Sequence, residues 1–253
     1  MIRKELKLTK VDKVKIIKLG GSLITDKSSP FSLKKDIIKK AIHKIINSKE
    51  KIILIHGGGS YGHPIAQEFN IYNGYDPNIK NQILGVSKTH QAMNKLNSFI
   101  IKEFIERDFP AISIQPSSIF LKEGASIITH SLEIIESLLE LNIMPVLYGD
   151  IILDKNKSFS IISGDRICLE LCKNIKYNIS KVIFAIDKEG IYIQGKKDDT
   201  PIILSDIGLK DLEDIKLVKF DEKIDVTGGS EGKINEIKKI LKLNIPVQVG
   251  SFL

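Results

Sequence analysis

Apolar positions along this chain follow two different spacings, which predict strands and helices in turn. Continuous apolar runs, rich in isoleucine and valine, predict strands at 14–19, 52–55, 110–114, 143–148, 181–186 and 246–249. Apolar residues that recur every three or four positions predict helices at 33–46, from about Pro64, at 83–107, within 127–142, from 163 or 165 to about 173, and from 233 to about 243. The remaining segments predict a hairpin over 151–162 with its turn at 154–157, and loops at 70–81 and 194–224.

Strands alternate with helices over most of the chain, which is typical of an α/β protein. Glycines repeatedly follow the apolar runs, so they are expected at the carboxyl ends of parallel strands. Ligands of open α/β sheets bind in the crevice outside those ends. The pattern therefore predicts a doubly wound sheet with a ligand site at one edge. The sequence shows no internal repeat and no flexible linker, and any second lobe should begin near residue 175 and pack directly.

The most informative stretch runs from Ile52 to Pro64, where a predicted buried strand ends in a glycine-rich turn. Three consecutive glycines at 57–59 are followed by Ser60, Gly62 and His63. Glycine permits close backbone approach and positive φ, so such a turn can direct several N–H groups at one anion. The alternative is a tight strand-to-helix turn without a ligand. Four glycines, two histidines and a serine within eight residues favour the phosphate-binding interpretation.

Further glycine turns follow other predicted strands. Lys18 precedes Gly20, Gly21 and Ser22, a pattern that matches neither the P-loop nor the dinucleotide-binding consensus. The other turns are Ser163-Gly164-Asp165 at a helix start, Asp187-Lys188-Glu189-Gly190 after a strand, and Thr227-Gly228-Gly229 before Lys233. Ser163 and Asp165 are both candidate helix caps.

Composition limits the class of protein. The chain has 253 residues, 42% hydrophobic and 27% charged, as expected of a folded enzyme with a sizeable core. The net charge of +7 favours anionic partners. No aromatic-rich basic cluster or nucleic-acid-binding motif accompanies it, so most basic residues are expected on a solvated surface. No segment has the length of a membrane span, and the basic residues 1–13 lack the apolar core of a signal peptide and predict a short extension, at most an added edge strand.

The chain's two cysteines, Cys168 and Cys172, are four positions apart on a predicted helix. No further cysteine or histidine cluster accompanies them, so buried thiols are favoured over a metal site or a disulfide. This usage fits a reducing compartment and predicts a cytoplasmic protein.

Taken together, the five glycine motifs with Lys18 and Lys233 resemble the amino acid kinase superfamily, over residues 14–249. Within it, 20–30 and 56–64 look most like isopentenyl phosphate kinases, with His63 as the distinguishing residue, because members that act on carboxylates typically lack a histidine there. The resemblance implies a three-layer αβα sandwich around a mostly parallel open sheet. It also implies an acceptor-binding lobe at 1–175, an ATP-binding lobe at 176–253 and a homodimer.

The resemblance also implies roles for individual residues. Lys18 and Lys233 would act on the transferring group, Asp165 would hold both, and Lys27 would stabilise charge in the transition state. The acceptor phosphate would contact Gly58, His63 and Gly164. ATP would be held by Lys18, Gly20, Gly21, Ser22, Gly59, Asp187, Gly190, Tyr192, Gly228 and Lys233. Magnesium would be bound mostly through the nucleotide, so no protein ligand to it is assigned.

Simple chemistry supports this interpretation, because phosphoryl transfer requires mainly positioning and positive charge around the moving group. Other histidines have simpler interpretations. His56 ends a buried strand and is expected to be structural, while His90 and Met93 would line an apolar acceptor tail or pack in the core. His63 could donate to a phosphate monoester in either protonation state.

The sequence therefore predicts transfer of the γ-phosphoryl group of ATP to isopentenyl phosphate. Alternatives within the superfamily are a phosphonate (fosfomycin-type), a carboxylate or a carbamate as the acceptor. A nucleotide-sensing module without catalysis is a further alternative, against which Lys18, Asp165 and Lys233 argue. Binding of nucleic acid rests on net charge alone and is the weakest hypothesis, and no membrane partner is expected.

Overall fold

Alternating strands and helices build the chain, as its apolar pattern predicts. The computed structural model describes residues 13–26, 28–194, 201–208 and 229–252, with side chains described over 13–26, 28–190, 205–208 and 232–252. The strands of these ranges are β1 (Lys13–Leu19), β2 (Lys51–His56), β3 (Ala111–Ser113), β4 (Phe120–Glu123), β5 (Ser126–His130), β6 (Met144–Tyr148), β7 (Asp150–Asp154), β8 (Ser158–Ile162), β9 (Asn178–Ala185), β10 (Ile191–Gln194), β11 (Pro201–Leu204), β12 (Asp206–Ile207) and β13 (Val247–Gly250). The helices are α1 (Gly21–Ile24), α2 (Lys35–Ile46), α3 (Gly59–Glu68), α4 (Gln82–Ile105), α5 (Pro116–Ile119), α6 (Glu133–Glu140), α7 (Gly164–Asn174) and α8 (Gly229–Leu241), with a 3-10 turn at Ile71–Asn73.

The central sheet contains seven of the described strands in the order β12-β13-β9-β1-β2-β6-β3. Every neighbouring pair in it is parallel except β12 and β13. β1 lies in the middle, and its register places Lys18 beside Ile55 of β2 and Phe184 of β9. The carboxyl ends of β1, β2, β6 and β9 therefore meet at one edge.

Helices cover both faces of this sheet because each strand alternates its side chains. Ile17 of β1 belongs to an apolar core with α2 and α4, and the neighbouring Ile16 belongs to a second core with α6, α7 and α8. Both isoleucines are buried, as is typical of parallel sheets. The predicted αβα sandwich around a mostly parallel sheet is confirmed.

A second, smaller sheet has the order β5-β4-β7-β8. It contains the predicted hairpin, since β7 and β8 are joined through residues 155–157. The β4–β5 hairpin was not predicted, and β5 overlaps the start of the 127–142 stretch in which the sequence predicts a helix. Its two-residue loop begins at Gly124 with φ of 57°, a conformation suited to such tight turns.

The start of α3 also differs from the prediction. The helix begins at Gly59 rather than near Pro64, so the proline lies inside it. Proline has no N–H to donate to the carbonyl four residues earlier, which belongs to Ser60. That carbonyl instead accepts a hydrogen bond from the Phe31 backbone N–H at 3.2 Å. A contact with a distant turn thus makes the interior proline tolerable.

The central sheet continues across residue 175, since β9 pairs with β1 on one side and β13 on the other. The division into lobes at 1–175 and 176–253 stays a prediction. Residues 1–12, where an edge strand was considered, lie outside the described residues. Within the described ranges, no helix combines the length and apolarity needed to cross a membrane.

A matched pair of substitutions on α4 tests this core. Ile100 is fully buried between helix and sheet, whereas Ile105 is 58% exposed. Ile100→Ala should lower the free energy of unfolding by about 2–5 kcal/mol, because it removes buried methyl groups and leaves a cavity. Ile105→Ala should change it by less than about 0.5 kcal/mol. Urea unfolding of both variants measures this, and equal losses would contradict the helix orientation.

Candidate active site

Two glycine turns lie against each other at the carboxyl ends of the central strands. The Gly57 N–H donates to the Leu19 carbonyl at 2.9 Å, and the Gly20 N–H donates to the Ala185 carbonyl at 2.8 Å. A Cβ atom on Gly21 would lie only 2.4 Å from the Gly59 nitrogen. Gly59 itself has φ of 47°, which favours glycine. The two backbones therefore approach more closely than side chains would allow, as a phosphate-binding turn requires.

Lys18 and Lys233 converge on one carboxylate, that of Asp165. Lys18 Nζ lies 2.9 Å from Asp165 Oδ1, and Lys233 Nζ lies 3.1 Å from Oδ1 and 2.9 Å from Oδ2. The three side chains are 8%, 17% and 14% exposed, in that order. One negative charge between two positive ones leaves the cluster with a net charge of +1, which suits a phosphate ligand.

The charges of this cluster stabilise one another. Burial alone would raise the pKa of Asp165, but the charges and hydrogen bonds of Lys18 and Lys233 outweigh it and hold that pKa well below its usual range. Burial would lower the pKa of Lys18, yet Asp165 raises it overall. The pKa of Lys233 is lowered by burial and by the charge of Lys18, against the pull of Asp165. Asp165 is therefore ionised at neutral pH and fixes both ammonium groups.

Local structure places Asp165 at the first turn of α7. The Ser163 hydroxyl accepts a hydrogen bond from the Arg166 N–H at 3.1 Å, so Ser163 is the helix cap and Asp165 is left to bind the lysines. Gly164 lies close to Lys18, since a Cβ atom there would be 3.2 Å from Lys18 Cε. A side chain at this position would compete with the lysine for space.

The turn predicted to bind the acceptor phosphate packs on α4. Cβ atoms on Gly58 and Gly62 would lie 2.9 and 2.7 Å from Met93 Sδ. Met93 is thus a buried support for the turn. His63 follows in α3 and is half-buried, and its carbonyl accepts a hydrogen bond from the Tyr72 hydroxyl at 3.2 Å. Gly58, Gly59 and His63 therefore share the first turns of one helix.

The other predicted nucleotide residues lie around the same edge of the sheet, as far as they are described. Gly20, Gly21 and Ser22 form the start of α1, and the Ser22 carbonyl accepts from Lys34 Nζ at 2.8 Å. Asp187 is exposed and Gly190 buried just beyond β9. Tyr192 lies in β10, whose side chains are not described, and Lys27 and Gly228 lie outside the described residues.

The sequence analysis did not predict a polar network that begins at His56, directly before the 57–59 glycine turn. His56 is fully buried, with Nδ1 3.1 Å from the Gly57 carbonyl and Nε2 3.1 Å from Asn97 Oδ1. Its ring stacks on Tyr148, with centroids 5.5 Å apart. His90, Asn94 and Asn97 are spaced so that they share one face of α4, and this pattern could have indicated the network, since polar residues on one face of a long helix suggest a shared partner.

The same face of α4 also binds the residue after Gly149. His90 Nδ1 lies 2.8 Å from Asp150 Oδ1, and Asn94 Nδ2 lies 2.9 Å from His90 Nε2. Asn94 Oδ1 accepts from the Tyr148 hydroxyl. The hydrogen bond and charge of Asp150 raise the pKa of His90 against the opposing effect of burial. His90 is thus a polar support for Asp150, which neither of its predicted roles included.

Comparison with known proteins agrees with this geometry. The model of the amino acid kinase family matches residues 13–251. Isopentenyl phosphate kinase of Methanocaldococcus jannaschii is 34% identical over 88% of this chain and 86% of the relative, and that of Methanothermobacter thermautotrophicus is 32% identical over 92% and 89%. A solved isopentenyl phosphate kinase structure superposes with a TM-score of 0.79 at 28% identity, covering 94% of this chain and 91% of its own.

The buried His56 predicts a specific pH dependence. Burial lowers its folded-state pKa from 6.5 to about 4. Its stabilising effect is therefore complete above pH 6.5 and is lost as the pH falls toward 4, because the unfolded chain then binds the extra proton. Between pH 7.5 and 5, the free energy of unfolding should fall by about 2 kcal/mol on this account.

The matched control for this pH dependence is His56→Asn, which cannot titrate. Urea unfolding at several pH values should give the variant a shallower decrease than the wild-type protein. His90 makes the opposite contribution, because its pKa is raised in the folded protein and the stability that it provides is lost as the pH rises through that pKa. This contribution is the same in the wild-type protein and in the variant. Parallel pH profiles would show that His56 is not a buried neutral group.

Proposed function

This chain belongs to the amino acid kinase family, and from that premise we propose that it transfers the γ-phosphoryl group of ATP to isopentenyl phosphate. The products are isopentenyl diphosphate and ADP. The observation that carries the proposal is the buried cluster of Lys18, Asp165 and Lys233 beside the two packed glycine turns. The names of the relatives support the acceptor, since two isopentenyl phosphate kinases exceed 30% identity over most of the chain.

No protein nucleophile takes part in the proposed reaction. An oxygen of the acceptor phosphate forms a bond to the γ-phosphorus as the bond from that phosphorus to the bridging oxygen breaks and ADP leaves. Lys18, near the end of the central strand β1, bridges donor and acceptor phosphates. Lys233 neutralises charge on the transferring group, and Asp165 keeps both lysines in place. Lys27, which follows Asp26 in the sequence, adds positive charge to the transferring group.

We assign the two sides of the site as follows. Gly58, His63 and Gly164 bind the acceptor phosphate, with the half-buried His63 orienting it. Backbone N–H groups at the start of α1 and α3 hold the phosphates of ATP, which favours Gly21, Ser22 and Gly59. Gly20, whose N–H donates to the Ala185 carbonyl, contributes to the same side through its lack of a side chain. Asp187, Gly190, Tyr192 and Gly228 complete the nucleotide side.

Magnesium fits this site as a companion of the nucleotide. Among the described residues, no three histidine, cysteine or acidic side chains come together as a metal-binding group. Both oxygens of Asp165 are already hydrogen-bonded to lysines. We therefore propose that Mg²⁺ is bound through ATP phosphates, where it neutralises charge, as is common for this ion. A homodimer and a cytoplasmic location, both implied by the sequence, are part of the same proposal.

The acceptor is tested by turnover. Incubation with ATP, Mg²⁺ and isopentenyl phosphate should give the ³¹P NMR resonances of isopentenyl diphosphate together with those of ADP. Fosfomycin, acetylglutamate and carbamate in place of isopentenyl phosphate should give little or no phosphorylated product. Turnover of one of these acceptors in place of isopentenyl phosphate would keep the phosphoryl-transfer chemistry and replace the substrate. Retained ATP binding without any turnover would instead favour a nucleotide-sensing module.

His63→Ala tests the assigned acceptor contact. Loss of a hydrogen bond to a charged phosphate should raise the KM for isopentenyl phosphate by about 10-fold or more, because such bonds contribute about 1.5–3 kcal/mol. The KM for ATP should change by less than about twofold, since ATP is assigned to other residues. Steady-state kinetics with each substrate varied in turn measures both constants.

His43→Ala is the matched control. His43 is exposed in the last turn of α2, which leads into the amino end of β2 and so lies at the opposite edge of the sheet from the glycine turns. This variant should keep both KM values. An equal increase of both constants in His63→Ala would show that the histidine supports the whole site rather than the acceptor.

A further inference from the structure

All three polar groups of Ser60 bind one segment of the chain, the 25–32 turn, of which the structure describes residues 25, 26 and 28–32. The Ser60 N–H donates to Thr25 Oγ1 at 2.9 Å, its hydroxyl donates to the Ser32 carbonyl at 3.2 Å, and its carbonyl accepts from the Phe31 N–H at 3.2 Å. Ser60 is 4% exposed. A serine directly after the glycine turn is thus used entirely to hold a segment some thirty residues away in sequence.

Pro64 is what makes the Ser60 carbonyl available. In an uninterrupted helix this carbonyl would accept the N–H of residue 64, but proline has none. An interior proline normally costs about 3 kcal/mol in a helix. At this position the unfilled carbonyl is satisfied by the turn instead, so the proline and the turn form one unit.

The turn itself is held in an unusual backbone conformation. Phe31 has φ of 56°, which is a genuine outlier for a bulky residue. Its half-exposed ring contacts the Tyr61 ring edge to face, with centroids 5.3 Å apart. Such conformations persist only where surrounding contacts impose them, and they concentrate at functional sites.

Thr25 connects the turn to both glycine motifs. Its hydroxyl donates to the Gly21 carbonyl at 2.8 Å while it accepts from Ser60. A Cβ atom on Gly59 would lie 2.0 Å from this oxygen, so the glycine leaves the space that the threonine hydroxyl fills. Thr25 is fully buried. The same oxygen therefore fixes the nucleotide-side turn, the acceptor-side turn and the 25–32 segment.

We propose that Thr25 and Ser60 are positioning residues, which set the 25–32 turn against the acceptor-binding glycines for phosphoryl transfer. The inference rests on the proposed function, in which Lys27, which follows Asp26 in the sequence, places positive charge on the transferring group. Neither Thr25 nor Ser60 needs to touch a substrate. Both act through the residues they hold, so their loss should slow the chemical step.

The test is Thr25→Val, which keeps the side-chain shape and removes the shared oxygen. The kcat with ATP and isopentenyl phosphate should fall by about 10- to 100-fold, because a misplacement of about 1 Å can have this effect. Thr25→Ser, which keeps the hydroxyl, should restore most of the kcat. If Thr25→Val does not fold, Ser60→Ala replaces it in the same kinetic test, because it removes only the hydrogen bond from the Ser60 hydroxyl to the Ser32 carbonyl.

A double variant separates positioning from a general structural effect. In a Lys27→Ala background, Thr25→Val should lower kcat by less than about threefold, since the turn would no longer carry the charge that it positions. A full additional loss would show that Thr25 acts on the site in general and would overturn the inference.

Thr89→Val is the matched control. Thr89 Oγ1 donates to the carbonyl four residues earlier, that of Gly85, at 2.9 Å, as Thr25 does to Gly21, and it is also buried. This variant should lose a similar hydrogen bond and keep its kcat. An inactive wild-type protein would overturn the proposed function and this inference with it. An active wild-type protein whose Thr25→Val variant keeps its kcat would overturn the inference alone.

Discussion

Asp165 holds two ammonium groups within 3.1 Å in a site that is largely closed to water, and the rest of the active site depends on this arrangement. Two buried lysines without a carboxylate would repel each other and lose their hydration, and removal of one partner from a buried charge pair commonly costs about 3–5 kcal/mol. The carboxylate thus makes it feasible to keep two positive charges at the end of β1. Because it neutralises only one of them, the cluster still attracts phosphate.

The sheet supplies the geometry that this charge cluster needs. A parallel arrangement brings the ends of β1, β2, β6 and β9 to one edge, and the turn glycines allow the backbones there to touch. Asp165 lies in the first turn of α7, and Lys233 reaches its carboxylate from α8. Met93 of α4 packs against Gly58 and Gly62 and so supports the glycine turn after β2. Catalysis by positioning and charge requires that these elements do not move relative to one another.

The hydrogen bonds around Ser60 and those around His56 perform related tasks at the two ends of the 57–59 glycine turn. His56, with Asn97, holds the end that follows β2, in a buried environment that keeps the imidazole neutral. Ser60 and Thr25 hold the segment that lies over α3. The glycine turn itself has no side chains with which to fix its own position, so its neighbours must do so.

The sequence alone determined the elements and the chemistry, because strand and helix periodicity and glycine turns are local signals. It predicted six of the seven described strands of the central sheet, the cap at Ser163 as one of two candidates, and the motifs that contain Lys18, Asp165 and Lys233. It predicted a loop where the seventh strand, β12, lies. It did not predict the β4–β5 hairpin or the start of α3, since a tertiary contact to Phe31 compensates for Pro64. The structure shows that Lys233 meets Asp165 across 68 positions, a contact that only the family resemblance had implied, and it alone decided that His90 meets Asp150 across 60. Such contacts depend on strand order and helix rotation, and no local pattern of residues records either of them.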